Sequence, residues 1–381
     1  MVGREVCTGC AACAQRCPKR CISMEPDDYG FLYPGVDSAQ CIDCGLCSKV
    51  CPVLQELPQA ADTPICYAAN ARDSEIRARS SSGGVFSVLA LHVLDRGGVV
   101  FGAAMGEHQR VSHIGIETRK ELHSLQGSKY VQSEVGGAYI QAEKYLKAGR
   151  WVLFTGTSCQ IGGLRAYLGR EYDKLYTLDV ICHGVPATKV WERYKAEQER
   201  QYHAKITGVS FRDKEAGWKQ YSMDLQFDNA DTYRRVHRDD SFFRIFLHDI
   251  CLRPSCYQCV YKGKAPAADL TLGDAWKIEK FAKELDDDLG TSVVFLHTEK
   301  AKVLFAEIKP ELEWREVPAE AAMRGNPAYL APPRPHEHRR RFLKQLKNGA
   351  GMEKLVQLSE LSWDVRLRRI LRNTVGKLLQ K

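Results

Sequence analysis

The residues best suited to chemistry come at the start of the chain. Cys7, Cys10, Cys13 and Cys17 follow a C-x2-C-x2-C-x3-C spacing closed by Pro18, and Cys41, Cys44, Cys47 and Cys51 repeat it before Pro52. Thiolates two residues apart can wrap a loop around the corners of an iron–sulfur cube. This is the bacterial two-cluster spacing, in which the fourth cysteine of each run ligates the other cluster. The expectation is two 4Fe–4S clusters, one on Cys7, Cys10, Cys13 and Cys51 and one on Cys41, Cys44, Cys47 and Cys17. Gly9, Ala11, Ala12 and Gly45 suit tight loops, and Pro18 and Pro52 end them by fixing φ and removing a donor. Zinc or disulfides fit two matching runs poorly. Cys21 is left over and reads as a buried structural thiol. Such clusters imply a one-electron partner at one end and leave the reaction at the other end open.

Further along, three loops could bind a nucleotide. Ser80, Ser81, Ser82, Gly83 and Gly84 precede a helical pattern, where free N–H groups and the helix dipole favour phosphate. Serine is also an ordinary helix cap. Thr155-Gly156-Thr157-Ser158-Cys159-Gln160 follows an apolar run and opens another helix, and Asp179 to Pro186 ends the next run. Three such loops at strand ends could line one crevice. The remaining cysteines suggest a third 4Fe–4S cluster. Cys256-x2-Cys259 is a metal-type pair, Cys251 stands five residues before it, and Cys159 and Cys182 fall at strand ends. Four of these five are needed, with Cys182, Cys256 and Cys259 as the firm three. Cys159 could instead be a thiol near a cofactor. Histidine as a residue type titrates near neutrality, so His183 could protonate a substrate, or simply donate to a backbone carbonyl.

The elements that must position these groups are those of an α/β fold. Apolar runs at 99–104, 151–154 and 175–181 alternate with helical patterns at 85–95 and 138–148. Runs at 209–212 and 221–227 read as antiparallel strands, and 270–272 and 293–297 as later ones. Residues 1–54 form a cysteine-dense unit, 55–64 a polar linker with two prolines, and 65–335 the larger domain. Residues 336–381 read as a basic helical tail. Apolar residues such as Leu355, Leu358, Leu361, Val365 and Leu371 are interleaved there with Arg366, Arg368, Arg369 and Arg372. That stripe packs either on the core or on a second copy of the chain, giving a homo-oligomer.

The 381 residues carry 44% hydrophobic and 27% charged residues, an ordinary globular balance. The net charge of +8 concentrates near the end. It marks a solvated surface or one that docks an acidic electron partner or anionic lipid. No motif supports nucleic-acid binding. No run of about 18 apolar residues predicts a transmembrane segment, and the N-terminus lacks a secretory apolar stretch. A cytoplasmic location is the expectation.

The chain resembles the family of beta subunits of deazaflavin (coenzyme F-420) hydrogenases and dehydrogenases. The resemblance rests on SSSGG at 80–84, QGSKYVQS at 126–133, TGTSCQ at 155–160 and DVICHGVP at 179–186. FRDKEAGW at 211–218, LRPSCYQC at 252–259 and DLTLGDAW at 269–276 continue it. It implies a flavoprotein in which the α/β domain, with a mixed sheet, holds FAD beside an iron–sulfur cluster. By position, Ser81, Ser82, Gly83 and Gly84 would meet the FAD phosphates, Lys129 and Tyr130 the isoalloxazine or its phosphates, and Thr155, Gly156 and Gln160 would lie close by. Lys129, as a cation near the flavin N1 edge, would stabilise the reduced anion, or it is a plain surface lysine. The family motif favours Cys159 over Cys251 as fourth ligand of the third cluster. Ala275 and Lys277 replace the family's bulky residue and glycine around Asp274 and Trp276. The implied function is that of an anaerobe-type oxidoreductase. Electrons pass from ferredoxin or a partner subunit through the clusters to FAD and a small-molecule substrate, or the reverse. A relay subunit without its own substrate, and a non-redox accessory protein with structural clusters, are the alternatives.

Overall fold

The computed structural model describes residues 1–55, 63–263 and 267–360. In the N-terminal module β1 (Ile22–Pro26) pairs antiparallel with β2 (Leu32–Val36). Two short helices, Ala12–Arg16 and Leu46–Lys49, each begin after a left-handed residue, Ala11 at φ 61° and Gly45 at φ 71°. Both residues follow the second cysteine of their run, so the repeated spacing produces a repeated turn.

The strands of the larger part are β3 (Ile65–Ala71), β4 (Val99–Met105), β5 (Val111–Ile116), β6 (Val152–Thr157), β7 (Leu175–Val180), β8 (Ile206–Asp213), β9 (Ser222–Phe227), β10 (Thr232–Val236), β11 (Leu270–Asp274), β12 (Ser292–Leu296) and β13 (Leu312–Glu316). Eight of them form one mixed sheet in the order β13-β3-β12-β11-β7-β6-β4-β5. Its centre, β11-β7-β6-β4, is parallel, and its flanks are antiparallel. Central parallel strands are covered on both faces and therefore apolar throughout. Along β6, Leu153 joins the core on one face, while Val152 and Phe154 join the core on the other. Helices Val85–Asp95 and Glu299–Ile308 cover the first face, Ala138–Lys147 and Ser158–Leu168 the second. The carboxyl ends of the four parallel strands lie along one edge, where open α/β sheets place their ligands.

β8, β9 and β10 make a separate antiparallel sheet. It shares a core with helices Thr188–Tyr202, Ser241–Leu247, Arg339–Lys347 and Met352–Ser359, and with Cys7, Phe31 and Tyr33 of the N-terminal module. Residues 336–360 thus do not stand off as a tail. Phe342, Leu343, Leu346, Met352, Leu355 and Leu358 are buried against Trp191 and Phe242, because an apolar stripe at helical spacing must be covered. Arg366, Arg368, Arg369 and Arg372 lie outside the described residues.

Candidate iron–sulfur and cofactor site

Cys7, Cys10, Cys13 and Cys51 come together. Burial pushes the Cys13 thiol up to about 12, and like charge on Cys10, Cys7 and Cys51 adds to this. Cys10 is pushed up to about 11, again by burial first, with Cys7 and Cys51 adding to it. A small cavity beside Met24 is lined by these four thiols and Cys47. In the second run Cys41 and Cys44 are exposed, and Cys17 and Cys47 are half-buried. Cys21 is buried as expected, with its sulfur 3.4 Å from that of Cys17. Arg253 ties the module to the larger domain. Its buried guanidinium donates to Cys7 O and Leu32 O at 2.8 Å and stacks over Tyr33 at 4.2 Å.

The larger domain gathers four further thiols. Thr157 ends β6 and caps helix Ser158–Leu168 through a reciprocal box with Gln160, whose Oε1 accepts from Thr157 N at 2.9 Å. The box fixes Cys159 in the first turn. Cys182 follows β7, the parallel neighbour of β6. Cys256 and Cys259 lie in and just after the 3-10 turn Pro254–Gln258. Burial raises the Cys159 thiol well above its ordinary value, and Cys259, Cys182 and Cys256 add like-charge repulsion. Cys256 is raised to about 12 by burial and then by Cys182. Val185 N donates to Cys256 Sγ at 3.4 Å. Cys251 does not join them. It is fully buried in the core with Ile250 and Leu252, and the charged groups acting on it are Arg339 and Asp249. Its nearness to Cys256 in sequence is undone by the turn between them, which corrects its inclusion among candidate ligands.

Among the described residues, no three His, Cys, Asp or Glu side chains converge as they would around a single ion. The donor sets are four thiols each, without carboxylate or imidazole, and one takes a backbone N–H to sulfur. That is the donor chemistry of 4Fe–4S clusters, and the residues fit it.

A cleft of about 280 Å³ opens elsewhere, lined by Arg79, His123, Ser128, Lys129 and Arg212 among others. Lys129 Nζ donates to Ser124 O at 3.1 Å and Gln126 O at 2.8 Å. Burial pushes its pKa down to about 7, so it is not a plain surface lysine. Ser81 Oγ accepts from Ser128 N at 2.7 Å and so anchors the segment that carries Lys129. Ser82 Oγ donates to Thr291 O at 2.9 Å, and Gly83 N donates to Ser292 Oγ at 3.1 Å. These two groups are engaged within the protein rather than left free for phosphate. Gly84 takes φ 85° to start helix Val85–Asp95. Thr155, Gly156 and Gln160 do not line the cleft either. Thr155 Oγ1 donates to Phe101 O at 2.9 Å, and Gln160 closes the cap, so this loop positions Cys159 instead.

His183 lies outside the cleft as well, its Nε2 2.7 Å from Asp249 Oδ1 and its ring edge-on to Phe246. Phe246 in turn packs against Tyr130 at 5.3 Å. Arg212 Nη1 donates to Tyr130 OH at 3.3 Å and to Asp274 Oδ2 at 2.8 Å. Rings therefore join the flank of the thiol site to the cleft. Arg212 is the residue that sequence reasoning missed. It stands in FRDKEAGW, and its partner Asp274 stands in DLTLGDAW. The signal was an arginine in one motif and an acid in the other, and only the fold pairs them.

A two-run cysteine module leading into a mixed α/β domain with a further thiol set defines an iron–sulfur protein of the oxidoreductase class. Residues 6–54 match the 4Fe-4S dicluster domain. Residues 66–138 match the N-terminal part of the coenzyme F420 hydrogenase/dehydrogenase beta subunit, and residues 149–320 its C-terminal part. The chain belongs to the family of coenzyme F420 hydrogenase/dehydrogenase beta subunits. It is 23% identical over 177 residues to one subunit of the F(420)H(2) dehydrogenase of Methanosarcina mazei, covering 43% of this chain and 49% of the relative. A 7Fe ferredoxin of Hydrogenibacillus schlegelii is 45% identical over 51 residues, covering 13% of this chain and 59% of the relative. The chain thus spans about half the length of the curated relatives it matches. A chain of the F420-reducing NiFe hydrogenase complex of Methanosarcina barkeri, solved with xenon, aligns at TM-score 0.49 and 16% identity, covering 80% of this chain and 92% of that one. No helix among the described residues is long and apolar enough to cross a membrane.

Proposed function

We propose that this chain is an iron–sulfur flavoprotein oxidoreductase subunit. It moves electrons between a redox partner, a ferredoxin or a partner subunit, and a small molecule reduced or oxidised at FAD. The observation that carries this reading is the gathering of Cys159, Cys182, Cys256 and Cys259 beside the helix against which Cys10 of the N-terminal module packs. When bound, clusters on these thiols supply one-electron carriers and a flavin supplies the exchange between single electrons and hydride. The protein's own part is positioning. The exposed Cys41 and Cys44 set the face a partner can approach, while Cys7 and Cys10 are buried and the other inner thiols half-buried. Arg212 and Arg79 give the cleft positive charge, to which Lys129 adds when protonated, and this suits flavin phosphates and the anionic edge of a reduced ring. The curated relative belongs to an F(420)H(2) dehydrogenase, so a reduced deazaflavin is the first substrate to assay.

The test is iron, sulfide and flavin content with an absorbance spectrum after oxygen-free purification. About twelve irons and one FAD per chain are expected for three cubes. Colourless protein would sink the proposal. A relay subunit is the second reading, favoured by the internal engagement of Ser82 and Gly83. It predicts the same iron without flavin, and activity with viologen dye alone.

A further inference from the structure

Between the two inner thiol sets stands a tyrosine whose hydroxyl finds no hydrogen-bond partner among the described residues. Tyr261 is 6% exposed and packs in the same core as Cys10, Val50 and Ile161. Buried polar groups are rarely left without a partner. The thiols that act on this phenol electrostatically are Cys159 and Cys259 of one set and Cys10 and Cys51 of the other.

Helix Ser158–Leu168 makes room on both sides. A Cβ at Gly162 would lie 2.2 Å from the Tyr261 hydroxyl, and one at Gly163 would lie 3.0 Å from Cys10 Sγ. A helix-interior glycine is disfavoured by about 1 kcal/mol against alanine, so two in succession mark a close approach. Cys159 lies one turn before Gly163, about 6 Å along the helix axis. A single helical turn therefore separates Cys159 from the residue against which Cys10 packs.

We propose that Tyr261 is a positioning residue whose hydroxyl donates a hydrogen bond to sulfur of the cluster held by Cys159, Cys182, Cys256 and Cys259. This rests on the reading that those thiols hold a 4Fe–4S cluster. Tyr261 follows Cys259 by two residues and shares a core with it and with Cys159, so its ring lies against that set. A hydrogen bond to cluster sulfur favours the more negative, reduced state and raises the potential. The phenol keeps its proton and exchanges no electron. It sets how readily the cluster of Cys159, Cys182, Cys256 and Cys259 accepts one.

The test is a redox titration followed by electron paramagnetic resonance on the full-length, cluster-loaded chain, with Tyr261→Phe beside the unaltered protein. The variant keeps the ring and removes only the hydroxyl. At a fixed potential, one cluster should show about a tenfold lower reduced-to-oxidised ratio, equal to about 59 mV for one electron. The cluster of Cys17, Cys41, Cys44 and Cys47 should not move. Should Tyr261→Phe fail to load iron, Gly162→Ala keeps the phenol but displaces it, and must shift the same cluster. Three clusters with unshifted potentials overturn the role of Tyr261 alone. Absence of a third cluster in the unaltered protein overturns the functional reading beneath it.

Discussion

At the scale of single residues, two cysteines five positions apart have opposite fates. Cys256 joins a set of four thiols, while Cys251 is part of an apolar core. Cys159→Ser should therefore lower iron from about twelve to about eight per chain, and Cys251→Ser should leave it unchanged. Equal losses in the two variants would refute the assignment. His113 is a buried residue with a measurable pH signature. Its Nε2 donates to Thr155 O at 3.0 Å and its Nδ1 lies 2.7 Å from Ser133 Oγ. Burial pushes its pKa down to about 4. The unfolded chain then binds the proton first as pH falls. The stability this residue contributes is complete above about pH 6.5 and is lost on the way to pH 4, at most about 3 kcal/mol. Urea midpoints between about pH 7.5 and 4.5 should fall more steeply for the unaltered protein than for His113→Gln. Parallel slopes would remove His113 from the account.

At the scale of elements, an ion pair ties the three-stranded sheet to the eight-stranded one. Arg212 on β8 meets Asp274 at the end of β11 through its two terminal guanidinium nitrogens, Nη1 and Nη2, at 2.8 and 3.2 Å. Trp218 Nε1 also donates to that carboxylate at 3.2 Å, and the Arg212 head lies 4.0 Å over Tyr221. Removing one partner of a buried pair leaves the other charge uncompensated. Arg212→Met is expected to lose about 3 kcal/mol by denaturant melting and to purify with less flavin, because Arg212 also lines the cleft. Full flavin content together with unchanged stability would show that the pair is incidental. The thiol site is held by a different device. The Thr157–Gln160 cap and the adjacency of β6 and β7 fix Cys159 and Cys182 at neighbouring strand ends.

At the scale of the whole molecule, the N-terminal module and the last helices are parts of shared cores rather than appendages. Cys10, Ala11 and Ala12 pack with Ile161 and Leu164, and Phe31 and Tyr33 share a core with Phe342 and Leu355. Phe342 is fully buried, so Phe342→Ala should cost about 3–5 kcal/mol and lower the melting temperature of the cluster-loaded protein. An unchanged melt would mean that residues 336–360 are a tail after all. This coupling matters for electron transfer, because a module on a loose tether could not keep Cys10 in contact with the Cys159 helix.

Much of this was legible without a structure, and the rest was not, for one physical reason. Cysteine spacing acts over a few residues, so the two ferredoxin runs, their small-residue turns and the strands at 99–104, 175–181 and 270–272 followed from local pattern. Helix 85–95 was equally plain in its apolar periodicity. Other features depend on parallel strands bringing distant segments to one sheet edge. These are the burial of Cys251 in an apolar core, the Arg212–Asp274 tie, the internal engagement of Ser82 and Gly83, and the place of Tyr261 between two thiol sets. Chain order states that these residues exist. Strand adjacency and core packing alone decide which of them meet.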